Sequence, residues 1–163
     1  MIFHLPSLLN IVVDFVAWLL IHVCVSLVID KISPDSFNPE SWLYKERRWE
    51  KGGGTYQVLL RIKKWKGLLP DGAVILKNRF RKKHLGNPDA MYILRFIEET
   101  CRAELIHWVI FIFSLLFFIW NEWWIGMIMI AYGFVVNVPC IITQRYNRIR
   151  LKRIDIYIVK RRD

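Results

Sequence analysis

Three long apolar runs divide the sequence, and polar, strongly basic stretches separate and follow them. The runs cover about residues 8–29, 103–120 and 124–142. Each run approaches or reaches the roughly 20 residues that a helix needs to cross about 30 Å of hydrocarbon at about 1.5 Å per residue. The pattern predicts an all-α membrane protein with three transmembrane helices.

The first run carries polar residues inside its apolar pattern. Asp14, Trp18 and His22 recur every four residues and therefore share one stripe of a helix. Because an ionisable side chain is costly in lipid, we expect this stripe to face protein or water. No Lys or Arg precedes Lys31, so the run lacks the basic start of a signal peptide and is interpreted as a retained helix.

Amphipathic interfacial helices are expected in the loop and in the tail. Trp and Tyr beside Lys and Arg in residues 40–50 are typical of the lipid headgroup level. Residues 55–72 favour a short strand or an interfacial helix that ends in a turn at residues 70–72. A spacing of three and four predicts an amphipathic helix that continues into the second run, through Met91, Leu94, Ile97 and Cys101. Residues 149–158 alternate isoleucine with charged residues, which suggests an interfacial helix or strand. Pro139 predicts a kink in the third run.

The charges of this chain are segregated as strongly as its apolar residues. The net charge is +10, and Lys and Arg number 0 in residues 1–30, 16 in 31–102, 0 in 103–144 and 8 in 145–163. With three spans, both basic blocks lie on one side, which the positive-inside rule assigns to the cytoplasm. We therefore expect one membrane domain over residues 1–163, with a cytoplasmic interfacial region at 30–102 and a basic cytoplasmic tail at 143–163. The protein would be a multi-pass protein of the cell membrane with its N-terminus outside.

The composition excludes several classes of protein. Apolar residues make up 55% of the chain and aromatic residues 15%, more than a soluble domain of 163 residues can bury. The three cysteines form no C-x-x-C pair, and no spacing of metal ligands is present. Gly52-Gly53-Gly54 lacks the strand and helix that flank a nucleotide-binding loop. No bound metal or cofactor is therefore expected.

The sharpest candidate for chemistry is the stretch RAELIHW at residues 102–108. Glu104 and His107 are three residues apart and share a helix face at the mouth of the second run, beside Arg102. A carboxylate next to an imidazole can orient a general base. The alternative is that Glu104 pairs with an arginine and stabilises the interface, with His107 merely hydrogen-bonded.

A second candidate is the stretch NVPCIITQRYNR at residues 137–148. Its polar side chains suit a sugar, a phosphate or an acyl carbonyl. Membrane anchoring would explain the arginines but not the amides. The substrate-binding candidates here are Asn137, Gln144, Arg145, Asn147 and Arg148.

Two weaker candidates lie earlier in the chain. His84 and Asp89 have the His-x-x-x-x-Asp spacing that glycerolipid acyltransferases use for a catalytic base, but the partner motifs of that superfamily are absent from the sequence. The basic stretch around Lys64, Trp65 and Lys66 suits anionic lipid headgroups better than nucleic acid, because apolar spans flank it. It also suits a phosphorylated acyl donor. Asp71 joins this candidate site, with simple turn chemistry as the alternative.

Three blocks together resemble a known family: RIKKWKGLLPDG, RAELIHW and NVPCIITQRYNRIRL. His84-Leu85, between the first and second of these blocks, belongs to the same resemblance. The blocks are similar to the glycosyl-4,4'-diaponeurosporenoate acyltransferases, small membrane proteins of staphyloxanthin-type carotenoid biosynthesis in Gram-positive bacteria. The likeness covers about residues 56–152. Ile149 departs from it, since the family pattern leads us to expect Pro there.

The resemblance implies transfer of a fatty acyl group to a sugar hydroxyl on a glycosylated carotenoid or isoprenoid lipid. On that basis His107 would be the base, oriented by Glu104, with His84 as the weaker alternative. Asn137 or Arg145 would stabilise the oxyanion, and residues 63–66 would hold the phosphate of acyl-CoA or of another acyl carrier. The implied partners are membrane lipids, the glycolipid acceptor and the acyl donor, without nucleic acid; a homo-oligomer stays open. The rival hypotheses are a transferase acting on a glycerolipid or polyprenyl carrier and a non-catalytic scaffold for lipid enzymes.

Overall fold

The chain is mostly helical in the part that its structure, a computed structural model, describes, which is residues 7–69 and 90–160. No strand occurs within these ranges. The α-helices are α1 (Ser7–Asp30), α2 (Gly54–Leu60), α3 (Ile62–Trp65), α4 (Ala90–Phe113) and α5 (Trp123–Lys160). Short 3-10 helices cover Pro34–Ser36, Arg48–Gly53, Lys66–Leu68 and Ser114–Ile119.

Three helical stretches are long and apolar enough to cross a membrane. They are Leu8–Asp30, Ile93–Ile119 and Trp123–Ile154, of 23, 27 and 32 residues. Even the shortest exceeds the roughly 20 residues that a span requires. This confirms the class predicted from the apolar runs, an all-α membrane protein.

The third helix is longer than its apolar run. The sequence predicted that the span would end near residue 142 and that a separate interfacial helix or strand would follow, whereas α5 continues unbroken to Lys160 with Pro139 inside it. Thr143, Tyr146 and Ile149 recur every three residues and are all buried. Because this stripe packs into a core, the helix persists where the apolar pattern stops.

Where the structure describes the loop between the first two spans, short helices cover residues 54–60 and 62–68, which decides for the helix over the strand there. The turn predicted at residues 70–72 lies outside the described residues. A left-handed Arg61, with φ of 48°, separates α2 from α3. The predicted run of an amphipathic helix into the second span is confirmed by α4. Ile97 and Cys101 of the predicted face are buried, as is Ile93, whereas Leu94 is 46% exposed.

The described chain divides into two compact units. The first combines residues up to 33 with 104–141, and the second combines 34–103 with 142 onward. In the first unit Trp18 stacks on Phe117 with ring centroids 4.8 Å apart and meets Tyr132 edge-on at 5.0 Å. Gly133 makes this packing possible, since a Cβ there would lie 3.2 Å from both Ser114 and Trp18.

A polar network holds another part of the first unit. Asp14 accepts hydrogen bonds from Trp120 Nε1 and Asn121 Nδ2, each at 2.7 Å, and Asn10 donates to Asn121 Oδ1. The predicted orientation of the Asp14 stripe towards protein agrees with this burial, since Asp14 is 6% and Trp18 8% exposed. The carboxylate is therefore accommodated by donors instead of facing lipid.

The second unit has its own small aromatic and aliphatic core. Tyr56, Ile62, Tyr146 and Ile149 are each at most 4% exposed, and Trp65 and Ile142 pack against them. The core joins α2 and α3 to the second half of α5. It thereby fixes the position of the polar side chains that α5 carries in this unit.

Candidate functional site

His107 and Asn137 meet in the first unit. The imidazole Nδ1 lies 3.0 Å from Asn137 Oδ1, although 30 residues separate the two in sequence. Asn137 is fully buried, and its Nδ2 donates to the carbonyl of Gly133, one turn earlier on α5, at 2.9 Å. His107 is partly buried, so part of the residue stays accessible.

This pair of contacts assigns the tautomer of the imidazole. The Asn137 amide nitrogen can only donate, so it must face the Gly133 carbonyl, and Oδ1 therefore faces His107. For the second contact to be a hydrogen bond, His107 Nδ1 must carry the proton. In the neutral ring Nε2 is then the unprotonated, basic nitrogen.

Glu104 is fully buried one turn before His107 on α4. Its Oε1 accepts a hydrogen bond from Trp108 Nε1 at 3.3 Å. The sequence led to the hypothesis that Glu104 orients the His107 ring. In the structure, the group in contact with His107 Nδ1 is Asn137. Spacing along one helix places two residues on a face, but a residue of another helix can approach the ring more directly.

The second unit contains a buried ion pair that sequence reasoning did not find. Arg145 Nε donates to Glu50 Oε1 at 3.0 Å, and the Tyr56 hydroxyl donates to the same oxygen. Burial alone would raise the pKa of Glu50, but the hydrogen bonds from Arg145, Tyr56 and the Arg47 backbone, with the charge of Arg145, lower it overall. Burial and the adjacent Glu50 carboxylate raise the pKa of Tyr56. Nothing in the one-dimensional pattern distinguishes Glu50 from its charged neighbours.

The other donors of Arg145 also bind the loop before α2. Nη1 donates to the Leu43 carbonyl at 2.9 Å, and Nη2 donates to the Lys45 carbonyl at 3.2 Å. Arg148, which is 1% exposed, donates to the Tyr44 carbonyl and lies over the Tyr44 ring. These two arginines therefore attach α5 to residues 43–50. The sequence predicted them as substrate-binding residues, and in the structure they make structural contacts.

The remaining candidates are distributed as follows. Lys66 Nζ donates to Asn147 Oδ1 at 3.0 Å, and Trp65 Nε1 donates to the Leu60 carbonyl. Lys64 is exposed, and Gln144 is partly buried. Arg102 is buried beside Glu99, with its Nη2 3.1 Å from the carboxylate. His84 and Asp71 lie outside the described residues.

A comparison with known proteins decides the family. The family model described as glycosyl-4,4'-diaponeurosporenoate acyltransferase matches residues 39–155. The chain belongs to this family. The match includes His107, Asn137, Glu50 and Arg145, and it confirms the resemblance found in the three sequence blocks.

Similar proteins with the same name as this acyltransferase family occur in Staphylococcus aureus. Those of strains bovine RF122 / ET3-1, N315 and USA300 are each 34% identical over 145 residues, which cover 89% of this chain and 87% of the relative. No solved structure matches the chain. Because the homologues are named acyltransferases, the chain is an enzyme of that class, and the scaffold hypothesis is wrong.

Proposed function

We propose that this protein transfers a fatty acyl group from an acyl carrier to a sugar hydroxyl of a glycosylated carotenoid, with His107 as the general base. Family membership supports the reaction class, and the name of the relatives supports a glycosyl-4,4'-diaponeurosporenoate acceptor. The contact between His107 Nδ1 and Asn137 Oδ1 carries the assignment of the base.

The imidazole suits both halves of acyl transfer. Nε2 accepts the proton of the sugar hydroxyl as its oxygen attacks the acyl carbonyl carbon. When the tetrahedral intermediate collapses, the bond between the acyl carbon and the carrier breaks, and the imidazolium returns the proton to the leaving group. Asn137 Oδ1 holds the ring throughout and stabilises the imidazolium, as a neutral counterpart of the carboxylate in other catalytic pairs.

The surrounding helices suit an apolar acceptor. Phe15 and Ile11 of α1 are 72% and 66% exposed, as expected of side chains that face lipid. A carotenoid chain can share that lipid phase while its sugar approaches a polar residue. We further propose that the basic stretches face the cytoplasm, where a soluble acyl carrier is available. Alkaline phosphatase fused to the C-terminus should be inactive in that topology, and activity there would contradict it.

Lipid mass spectrometry tests the proposed base. Membranes containing His107→Ala should convert a supplied glycosyl carotenoid to its acyl ester about 10² to 10⁴ times more slowly than wild type, which is the usual contribution of a general base. His22→Ala is the matched control, because His22 is an imidazole of the same unit whose Nδ1 contacts the Trp18 carbonyl. Full acyl transfer by His107→Ala would exclude it as the base, and His84→Ala then tests the weaker candidate.

A further inference from the structure

A pocket in the second unit is built from residues that the proposed acyl-transfer step does not use. It has a volume of about 530 Å³ and lies between the glycine loop before α2, which is Gly52 and Gly53, and residues 146–154 of α5. The lining residues that matter here are Gly52, Gly53, Lys63, Tyr146, Arg150 and Arg153.

The glycine loop has the conformation that two side chains of α5 require. Gly52 and Gly53 have φ of 65° and 83°, in the left-handed region that favours glycine. A Cβ on Gly52 would fall 1.5 Å from Arg153 Nη2, and a Cβ on Gly53 would fall 3.2 Å from the Tyr146 ring. The guanidinium of Arg153 therefore packs against the backbone of Gly52, where a side chain would otherwise lie, and this contact positions it at the pocket.

Positive charge converges on this pocket. Arg150 and Arg153 are exposed, as is Lys63, and no acidic residue is among the described residues that line it. Arg150 Nη1 donates to the hydroxyl of the buried Tyr146 at 3.0 Å, which holds that guanidinium near the loop. Within the described part of the chain, no carboxylate forms an ion pair with these three cations. Such an arrangement favours a bound anion.

The charged side chains, and not the N–H of Gly52, supply the donors. The Gly52 N–H already donates to Glu46 Oε1 at 2.6 Å. Two guanidinium groups and an ammonium group instead offer several charge-assisted donors, which suit the oxygens of a phosphate ester. The volume exceeds that of a phosphate alone and leaves room for the organic group attached to it.

Exposed apolar residues of the second unit indicate the surroundings of the pocket, including those of α2, the helix whose Gln57 lines it. Val58 and Leu59 of α2 are 78% and 73% exposed, and Leu68 is 85% exposed. Large apolar side chains beside lysines are typical of segments that lie at the surface of a bilayer. An anion bound here would thus have its phosphate at the basic pocket and an apolar part directed into lipid.

We propose that this pocket binds the phosphate ester of an amphiphile at the membrane surface, supplied either by an acyl-coenzyme A or by an anionic phospholipid. The inference rests on the proposed acyl transfer for its biological role, because a phosphate-bearing donor would be held here. The binding itself is independent of catalysis and can be measured without it.

Binding by the full-length protein in phosphatidylcholine nanodiscs tests the proposal. Labelled coenzyme A is titrated in one arm, and retention of added phosphatidylglycerol is measured by native mass spectrometry in the other. The pocket variant is Arg150→Gln with Arg153→Gln. The matched control, Lys45→Gln with Arg48→Gln, removes the same charge from exposed side chains of the same unit.

The pocket variant should bind its ligand at least about tenfold more weakly than wild type, whereas the control should stay within about twofold. Arg150→Lys with Arg153→Lys should recover part of the affinity, and binding should weaken with salt. A selective loss of coenzyme A binding identifies the soluble donor, and a selective loss of phosphatidylglycerol identifies a lipid headgroup.

Three results would overturn the proposal: wild type binding neither ligand, an unchanged affinity of the pocket variant, or equal losses in the pocket and control variants. Because both arginines are exposed, unchanged thermal unfolding is expected and is checked for each variant. Retained ligand binding without any acyl transfer would refute the proposed function while leaving the pocket assignment intact.

Discussion

Arg145 Nε lies 3.0 Å from Oε1 of Glu50, 95 residues earlier in the chain, and the carboxylate is fully buried. Its two oxygens receive donors from Arg145, from the Tyr56 hydroxyl and from the Arg47 backbone. Removal of the partners of such a buried charge would leave it uncompensated and would lower the stability of the fold. The pair therefore anchors the loop of residues 43–50 to α5.

Removal of one partner should destabilise the protein strongly. Glu50→Gln leaves the Arg145 charge without its buried partner, and we expect a loss of about 3 kcal/mol in the free energy of unfolding. Unfolding of the purified protein in detergent measures it. Glu40→Gln is the matched control, because the Glu40 side chain is 72% exposed in its ion pair with Lys152, and the pair should contribute less than about 1 kcal/mol. Equal effects of the two substitutions would contradict a structural role for the Glu50 pair.

The same pair predicts a dependence of stability on acid. Glu50 has a folded-state pKa below its ordinary value of 4.5. Its contribution is therefore fully present above pH 4.5 and is lost as the pH falls through the folded-state pKa. The unfolding temperature, measured between pH 7 and pH 3, should fall at the acidic end, and Glu50→Gln should flatten that part of the curve. An identical acid profile for both proteins would exclude Glu50 as a source of this dependence.

The contact between His107 and Asn137 predicts a defined imidazole tautomer. Nitrogen-15 chemical shifts of labelled histidine should show His107 protonated at Nδ1 when the ring is neutral, because Asn137 Oδ1 can only accept. Asn137→Leu removes this acceptor and should lower kcat by about 10-fold to 100-fold with little change in KM, as loss of a positioning residue does. Asn38→Leu is the matched control, because Asn38 is an exposed asparagine of the second unit with no proposed role in the site. A tautomer that is unchanged in Asn137→Leu would refute the orienting role.

Close helix packing at Gly133 gives a stability prediction for the first unit. A side chain at this position meets Ser114 and Trp18 at once, so Gly133→Leu should cost about 1–3 kcal/mol or more through overpacking. Gly67 has no atom within 4 Å of an added Cβ, which makes Gly67→Leu the matched control. Thermal unfolding in detergent compares them. Tolerance of leucine at Gly133 would mean that α1, α4 and α5 can separate there without loss of stability.

The sequence by itself determined the three apolar helices, the buried Asp14 stripe and the helical junction into the second span. Each follows from residues close together in the chain, because the period of an apolar face and the length of an apolar run are local properties. The family was also accessible from local blocks. Leu94 shows the limit of such reasoning, since it was placed on the buried face with Ile97 and Cys101, yet it is 46% exposed and its neighbour Ile93 is buried instead.

Only the tertiary structure decided which polar groups meet. Asn137, and not Glu104, contacts His107 Nδ1, and Arg145 binds Glu50. Spacing along one helix cannot reveal such partners, because they depend on how each helix is rotated and packed against chain segments distant in sequence. The extent of α5 was decided in the same way. Tyr146 and Ile149 continue the helix past its apolar run because Tyr56 and Ile62, almost 90 residues earlier, supply the core that buries them.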